Sequence, residues 1–374
     1  MSEWSNICVS SYLLKKGTDV MASQYVSYTV QATCDGQNHT VERRFNEFSL
    51  LHKEMAKQYP AAIIAPLPKD QVFGRFKPAF IESRMRGLEE CLRKTYADPE
   101  MSKSCLWQPF FTAMNFNEGA VNDAKCKSGA GTQRRSSWID TMKNLAAVQI
   151  TKPNVDTSEV DAEMKTITDY LDSYTSAMKR ISQAAGSLAN ESIEDAKTLE
   201  ELSSNSKLLG EKVLIARGVE VDPEATVFIQ FGVALIAMAV QLNTNSRNKL
   251  VRVKEPIEQY SRTLLSIKAA LNRQNEVKKA YIAASANRIM AENALAKEPH
   301  AMDKISKAEL TKEELEAAEA EFHSTSKALV ENFEKIKQSR VYEIVQICES
   351  LVELELETCR GSRDVLADLL DDLS

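Results

Sequence analysis

The sequence predicts a multidomain chain: an α+β module built on a three-stranded antiparallel sheet with helices, followed by an all-α module of three long helices. Two changes of texture carry this prediction. Before residue 117, strand-like alternation of apolar and polar residues gives way to helical spacing, and from Asp156 onward the chain is rich in Ala, Glu, Lys and Leu with few prolines. The expected boundaries are 1–117 for the first module, 118–153 for a linker containing an amphipathic helix, and 154–374 for the helical module.

The first module reads in order as follows. Ile7-Cys8-Val9 and Tyr12-Leu13-Leu14 suggest one strand, and Tyr25 to Val30 alternates as a second. Asp35-Gly36 is a hairpin turn signal, because both residues tolerate positive φ, and His39 to Phe45 reads as the third strand. Phe48, Leu51, Met55 and Tyr59 then share one helical face. A proline-rich turn, Pro66-Leu67-Pro68-Lys69, precedes a second helix over Phe80 to Tyr96, with Ile81, Leu88 and Leu92 on one side. Trp107, Phe110, Phe111 and Phe116 are expected to close over the sheet. Helices gathered on one side of an antiparallel sheet define an α+β module.

Residues 117–136 have the composition of a flexible linker. Beyond them Trp138, Ile139, Met142, Leu145, Ala146 and Ile150 fall on one face of a helix, with Arg134, Arg135 and Lys143 nearby and Pro153 at its end. Such a helix would lie as a wedge in a membrane surface or pack on its own bundle. Arg134-Arg135-Ser136-Ser137 also has the form of a phosphorylation site, where a phosphate would oppose an anionic membrane.

The helical module is divided by Pro223 and Pro299 into helices over roughly 156–215, 224–297 and 303–372, several-fold longer than the ~10–14 residues of an average globular helix. Pro256 falls inside the second and is expected to kink it. In the third, Phe322, Leu329 and Ile336 step by heptads, and Ile344, Cys348, Leu351 and Val352 continue the seam with a shift. The most apolar stretch, Phe228 to Leu242, is shorter than the ~20 residues of a spanning helix and is expected to be buried or to form a subunit interface. Three long helices with such a patch call for a partner, most simply a second copy.

Bulk numbers exclude several classes. The 374 residues carry a net charge of −6, which argues against nucleic-acid binding and leaves membrane attraction to local basic patches. Seven cysteines lack CxxC spacing and fit reduced thiols, and the four histidines are scattered without a zinc pattern. The N-terminus has no basic segment followed by an apolar run, so no signal peptide is expected. There is no Gly-rich phosphate loop, GxSxG or HExxH, so neither an enzyme nor a cofactor is expected.

The residues that carry chemistry lie in the first module. Arg43-Arg44-Phe45-Asn46-Glu47-Phe48 ends the third strand; Pro66-Leu67-Pro68-Lys69 and Phe80-Ile81-Glu82-Ser83-Arg84-Met85-Arg86 follow. Guanidinium forks match phosphate oxygens and an aromatic face packs on a sugar-like ring, so together they suggest a site for a phosphorylated ring. The bland alternative for Arg43 and Arg44 is a solvated strand end, and Arg86 reads as a solvated helix residue.

In the order and spacing of these motifs, residues 1–117 resemble a PX (phox-homology) domain. The helical remainder resembles the BAR domain of sorting nexins, and Glu255-Pro256-Ile257-Glu258-Gln259-Tyr260 with Ser266 to Leu271 is similar to the recycling and autophagy branch of that family. The resemblance implies binding of phosphatidylinositol 3-phosphate, with Arg44 clamping the 3-phosphate and Phe45 stacking under the inositol ring. It gives the 1-phosphate to a lysine after the proline turn and the ring hydroxyls to Arg84. The family's lysine usually stands one residue later, where this chain has Asp70, so either Lys69 reaches in or the pocket is weakened. Val72, Phe73 and Phe76 would dip into the bilayer or pack on the module itself.

The resemblance further implies a homo- or heterodimer with another BAR sorting nexin on curved anionic membrane. It would be peripheral on the cytosolic face of early or recycling endosomes, serving cargo recycling and autophagy. Basic clusters at Arg247, Lys249, Arg252 and Lys254, and at Lys297, Lys304, Lys307 and Lys312, would meet anionic lipid or form a solvated face. The competing class is a coiled-coil protein-interaction scaffold whose first module binds no lipid.

Overall fold

The Asp35-Gly36 turn sets the register of the sheet. A computed structural model of the chain describes residues 3–16, 24–70, 75–127 and 155–373. Within it β1 (Trp4–Lys16), β2 (Gln24–Cys34) and β3 (Gln37–Arg44) form an antiparallel sheet in the order β1-β2-β3. Asp35 and Gly36 both take positive φ, 49° and 76°, as a two-residue hairpin with matching twist requires. The turn pairs Cys34 with Gln37 and so, at the far end of the ladder, places Tyr28 opposite Arg43 and Ser27 opposite Arg44.

Helices cover one face of this sheet. The first, α1 (Phe45–Gln58), buries Phe48, Leu51 and Met55, and the Glu47 side chain reaches back to accept the Arg44 N–H at 2.7 Å. The second, α2 (Pro78–Tyr96), starts on a proline, whose missing donor costs nothing in a first turn, and buries Ile81, Leu88 and Leu92. A short α3 (Trp107–Thr112) brings Trp107, Phe110 and Phe111 into the core beside Phe116.

The linker expected from residue 118 begins as a helix, α4 (Glu118–Lys127). Asn117 starts it by accepting the Ala120 N–H on its side chain at 3.0 Å, and Val121 is buried in the core. Gly, Asn and Lys give the segment a linker's composition, but Val121, Ala124 and the Lys125–Glu54 ion pair fasten it to the core. The amphipathic segment with Trp138, Ile139, Met142 and Leu145 lies outside the described residues, as do Val72 and Phe73.

Four further stretches of helix follow. They are α5 (Ser158–Arg217), α6 (Pro223–Lys249), α7 (Glu255–Lys297) and α8 (Met302–Leu373), with a π-helical turn, Leu250–Lys254, joining α6 to α7. That turn is where Pro256 acts. The ring cannot donate to the carbonyl four residues back and would collide with it, and the wider turn just ahead takes up the mismatch. Asp222 caps α6 by accepting the N–H of Glu224 at 2.9 Å.

The chain divides into two compact units, Met1–Leu171 with Arg262–Ile336, and Asp172–Ser261 with Lys337–Ser374. In the first, Val160, Val277, Tyr281, Ala284, Ala318 and Phe322 form a helical core in which the Tyr281 and Phe322 rings stack at 5.3 Å. Arg273 of α7 donates to the carbonyls of Pro60 and Ala62 at 3.1 and 2.6 Å, and Asn332 of α8 to that of Ala61 at 3.3 Å. These bonds fasten the segment between α1 and α2 to the helices.

In the second unit the expected seam moves. Leu354 is buried with Val253 and Ile257, and Ile347 and Leu351 pack against them, whereas Ile344, Cys348 and Val352 are exposed. A strict heptad step drifts around a straight helix, and the contact follows the drift. The apolar run is only partly buried. It belongs to a helix, Pro223–Lys297, that is long and apolar enough to cross a membrane, so length does not exclude a span. Nor is it simply buried, since Val227, Phe231, Val233 and Val240 are exposed. Polar contacts tie it to protein nonetheless. Ser206 donates to the Phe228 carbonyl at 2.7 Å, and Ser246 to that of Ala189 at 2.8 Å.

Candidate functional site

Strand alternation separates the two adjacent arginines. Arg43 points into the core and is fully buried. Its guanidinium donates to the carbonyls of Phe110 (2.7 Å) and Ala113 (2.6 Å) at the end of α3, and pairs with Glu47 at 3.7 Å. Burial lowers its affinity for the proton and Glu47 partly restores it. Arg43 is therefore neither a solvated strand end nor part of a ligand fork: it serves as a cap for α3.

Arg44 points the other way and is exposed, with its guanidinium 3.8 Å from the centre of the Tyr25 ring. Phe45, at the start of α1, packs partly against the core and supports Arg84 of α2. The Arg84 guanidinium lies between two rings, 4.4 Å from Phe45 and 4.6 Å from Phe80, and is only 7% exposed. One of its terminal nitrogens, Nη2, donates to the Lys69 carbonyl at 3.0 Å and meets the Asp70 carboxylate at 3.3 Å. Its Nε and the buried hydroxyl of Tyr28 make no hydrogen bond of good geometry among the described residues, but the hydroxyl lies close enough to the Arg84 guanidinium to interact with it. Burial raises the proton affinity of that hydroxyl, against the pull of Arg84, so it stays a neutral donor.

The structure thus brings Phe45, Arg84 and the backbone of Lys69 together, with the Lys69 side chain exposed to solvent. Phe76 packs partly against the core, with Arg75 4.8 Å above its ring. Tyr25 and Phe80 were not singled out from the sequence. Hairpin register counted back from Asp35-Gly36 would have set Tyr25 two residues from Ser27, the partner of Arg44.

The first basic cluster on the long helices is largely paired. Lys249 is buried, bound to Glu355 at 2.7 Å and to the Ser192 hydroxyl, and Arg252 pairs with Glu353 at 2.6 Å. Lys249 is consequently not a solvated or lipid-facing charge. In the second cluster Lys304 pairs with Glu298 at 2.6 Å and Lys312 approaches Glu316 at 3.9 Å.

Comparison with known proteins accords with this geometry. The PX domain family model matches residues 31–114, which contain Arg44, Phe45, Lys69 and Arg84. Sorting nexin 1 of Arabidopsis thaliana is 23% identical over 355 residues, 91% of this chain and 83% of that protein. Vacuolar protein sorting-associated protein vps5 of Schizosaccharomyces pombe is 30% identical over 149 residues, 39% of this chain; the match spans about a quarter of that relative, 26%. The SNX-BAR protein Mvp1, solved as a tetramer, has the same fold over 98% of this chain and all of its own, with a TM-score of 0.64 at 13% identity. The fold and the site define a PX domain joined to a helical BAR-like region. In domain order and fold the chain is similar to sorting nexins of the PX-BAR type.

Proposed function

We propose that this chain is a sorting nexin that binds phosphatidylinositol 3-phosphate through its PX domain, pairs through its long helices, and acts at curved endosomal membrane in protein sorting and recycling. The modules proposed for these tasks are residues 1–117 for lipid, 118–153 as a connection whose later part includes the amphipathic segment, and 154–374 for pairing and curvature. The role is one of binding and shaping, with no catalytic step.

One observation carries the lipid reading. Arg84 lies between the Phe45 and Phe80 rings, nearly buried, on the same module that presents the exposed Arg44. An immobilised guanidinium beside an aromatic face suits a ring that carries both hydroxyls and phosphates. The pairing reading rests on the exposed Val227, Phe231, Val233 and Val240 of α6, together with Val341, Tyr342 and Val345 of α8. A contact with one headgroup is weak, and two PX domains on one dimer act together through effective concentration.

Flotation with liposomes tests the lipid reading. The full chain is expected to float with vesicles containing phosphatidylinositol 3-phosphate and not with vesicles lacking it, and Arg44→Ala to abolish the difference. A chain that ignores the 3-phosphorylated lipid would be a protein-interaction scaffold instead.

A further inference from the structure

Asp70 stands where a cation was expected, and its carboxylate lies against Arg84 at 3.3 Å. We propose that Asp70 is an internal competitor of the ligand: its carboxylate occupies Nη2 of Arg84, and an incoming headgroup oxygen must displace it. This deepens the lipid reading above and rests on it.

Three features support competition rather than positioning. First, Arg84 does not depend on Asp70 for its place, because two rings and the Lys69 carbonyl, at 3.0 Å, already hold it. Second, the partners differ in exposure: the Asp70 side chain is 78% exposed and that of Arg84 only 7%. An exposed carboxylate keeps much of its hydration and is displaced at little cost. Third, Asp70 meets Arg84 through a single nitrogen, Nη2, at 3.3 Å. The carboxylate meets only part of the guanidinium's donor capacity, so a ligand with several oxygens completes it better. Once displaced, the same negative charge remains beside a phosphorylated ring and repels it. Asp70 therefore lowers the affinity of a single PX domain and makes stable attachment depend on paired domains.

The experiment measures full-chain binding to three targets: vesicles with phosphatidylinositol 3-phosphate, vesicles matched in charge with phosphatidylserine, and soluble inositol 1,3-bisphosphate. Asp70→Asn keeps the size of the side chain at an exposed position and removes its charge. The variant is expected to bind the 3-phosphorylated vesicles and the soluble headgroup roughly three- to tenfold more tightly, with phosphatidylserine vesicles unchanged. Equal or weaker binding by the variant, while both proteins still prefer the 3-phosphorylated vesicles, overturns the competitor and leaves the lipid reading standing. An equal gain on phosphatidylserine vesicles also overturns it, because the effect would then be one of general surface charge. If neither protein distinguishes the 3-phosphorylated vesicles, the lipid reading and the competitor fall together.

Discussion

Arg43 and Arg44 are chemically identical neighbours, and a peptide's pleat gives them opposite tasks. Arg43→Met would leave the Phe110 and Ala113 carbonyls buried without donors, so it is expected to destabilise the chain by about 3 kcal/mol or more in urea unfolding. Arg44→Ala, at an exposed position, is expected to stay within about 0.5 kcal/mol of wild type. Equal losses for the two would refute this division of labour. The distinction was present in the sequence in one respect: Arg43 shares its parity with Val41, which faces Val30 of the core strand. What could not be read was the destination, because the α3 carbonyls that receive Arg43 lie some 70 residues away and only the closed fold brings them near. The same holds for Arg84, whose sandwich between Phe45 and Phe80 joins two helices.

The helices and the segments between them were more legible. Hydrophobic spacing located α1 and α2, since their apolar faces are buried in the core. It missed α4, which is held by the Asn117 cap, Val121 and a Lys125–Glu54 ion pair formed only in the fold, and misplaced part of the lower α8 seam, where contact follows helix drift. Between α1 and α2 the chain is fixed by Arg273 and Asn332, and His52 of α1 lies close to this junction. Burial holds the His52 imidazole below its ordinary value, a hydrogen bond with the Ala65 backbone opposes that, and Arg273 adds repulsion. Since its folded value is the lower one, the unfolded chain takes up the proton first as pH falls. Stability is accordingly intact above about pH 6.5 and is lost below it, by at most about 1.4 kcal/mol per pH unit from this group. In thermal melts, His52→Gln is expected to flatten the decline between pH 6.5 and 5. Parallel curves for the two proteins would show that the imidazole is not the group responsible.

At the scale of the whole molecule, an apolar helix face exposed in a single chain requires a covering. The Ser206 and Ser246 contacts bind α6 to α5 within its unit. Sedimentation equilibrium is expected to give twice the mass of one chain, and Val227→Glu with Phe231→Glu to return it to the monomer. A wild-type monomer at micromolar concentration would contradict pairing through this face. The long helices announced themselves through composition and proline placement, but the covering of α6 is not visible in one chain's sequence, because the same residues would suit a core, a partner or a bilayer.

The central claim is that a guanidinium fork, and not merely positive charge, recognises the headgroup. Arg84→Lys keeps the charge and removes the planar fork that Phe45 and Phe80 hold. The most direct measurement is the affinity of this variant for vesicles with phosphatidylinositol 3-phosphate, relative to phosphatidylserine vesicles of equal charge. A loss of roughly tenfold or more, confined to the 3-phosphorylated vesicles, is predicted; wild-type affinity in the lysine variant would contradict the account.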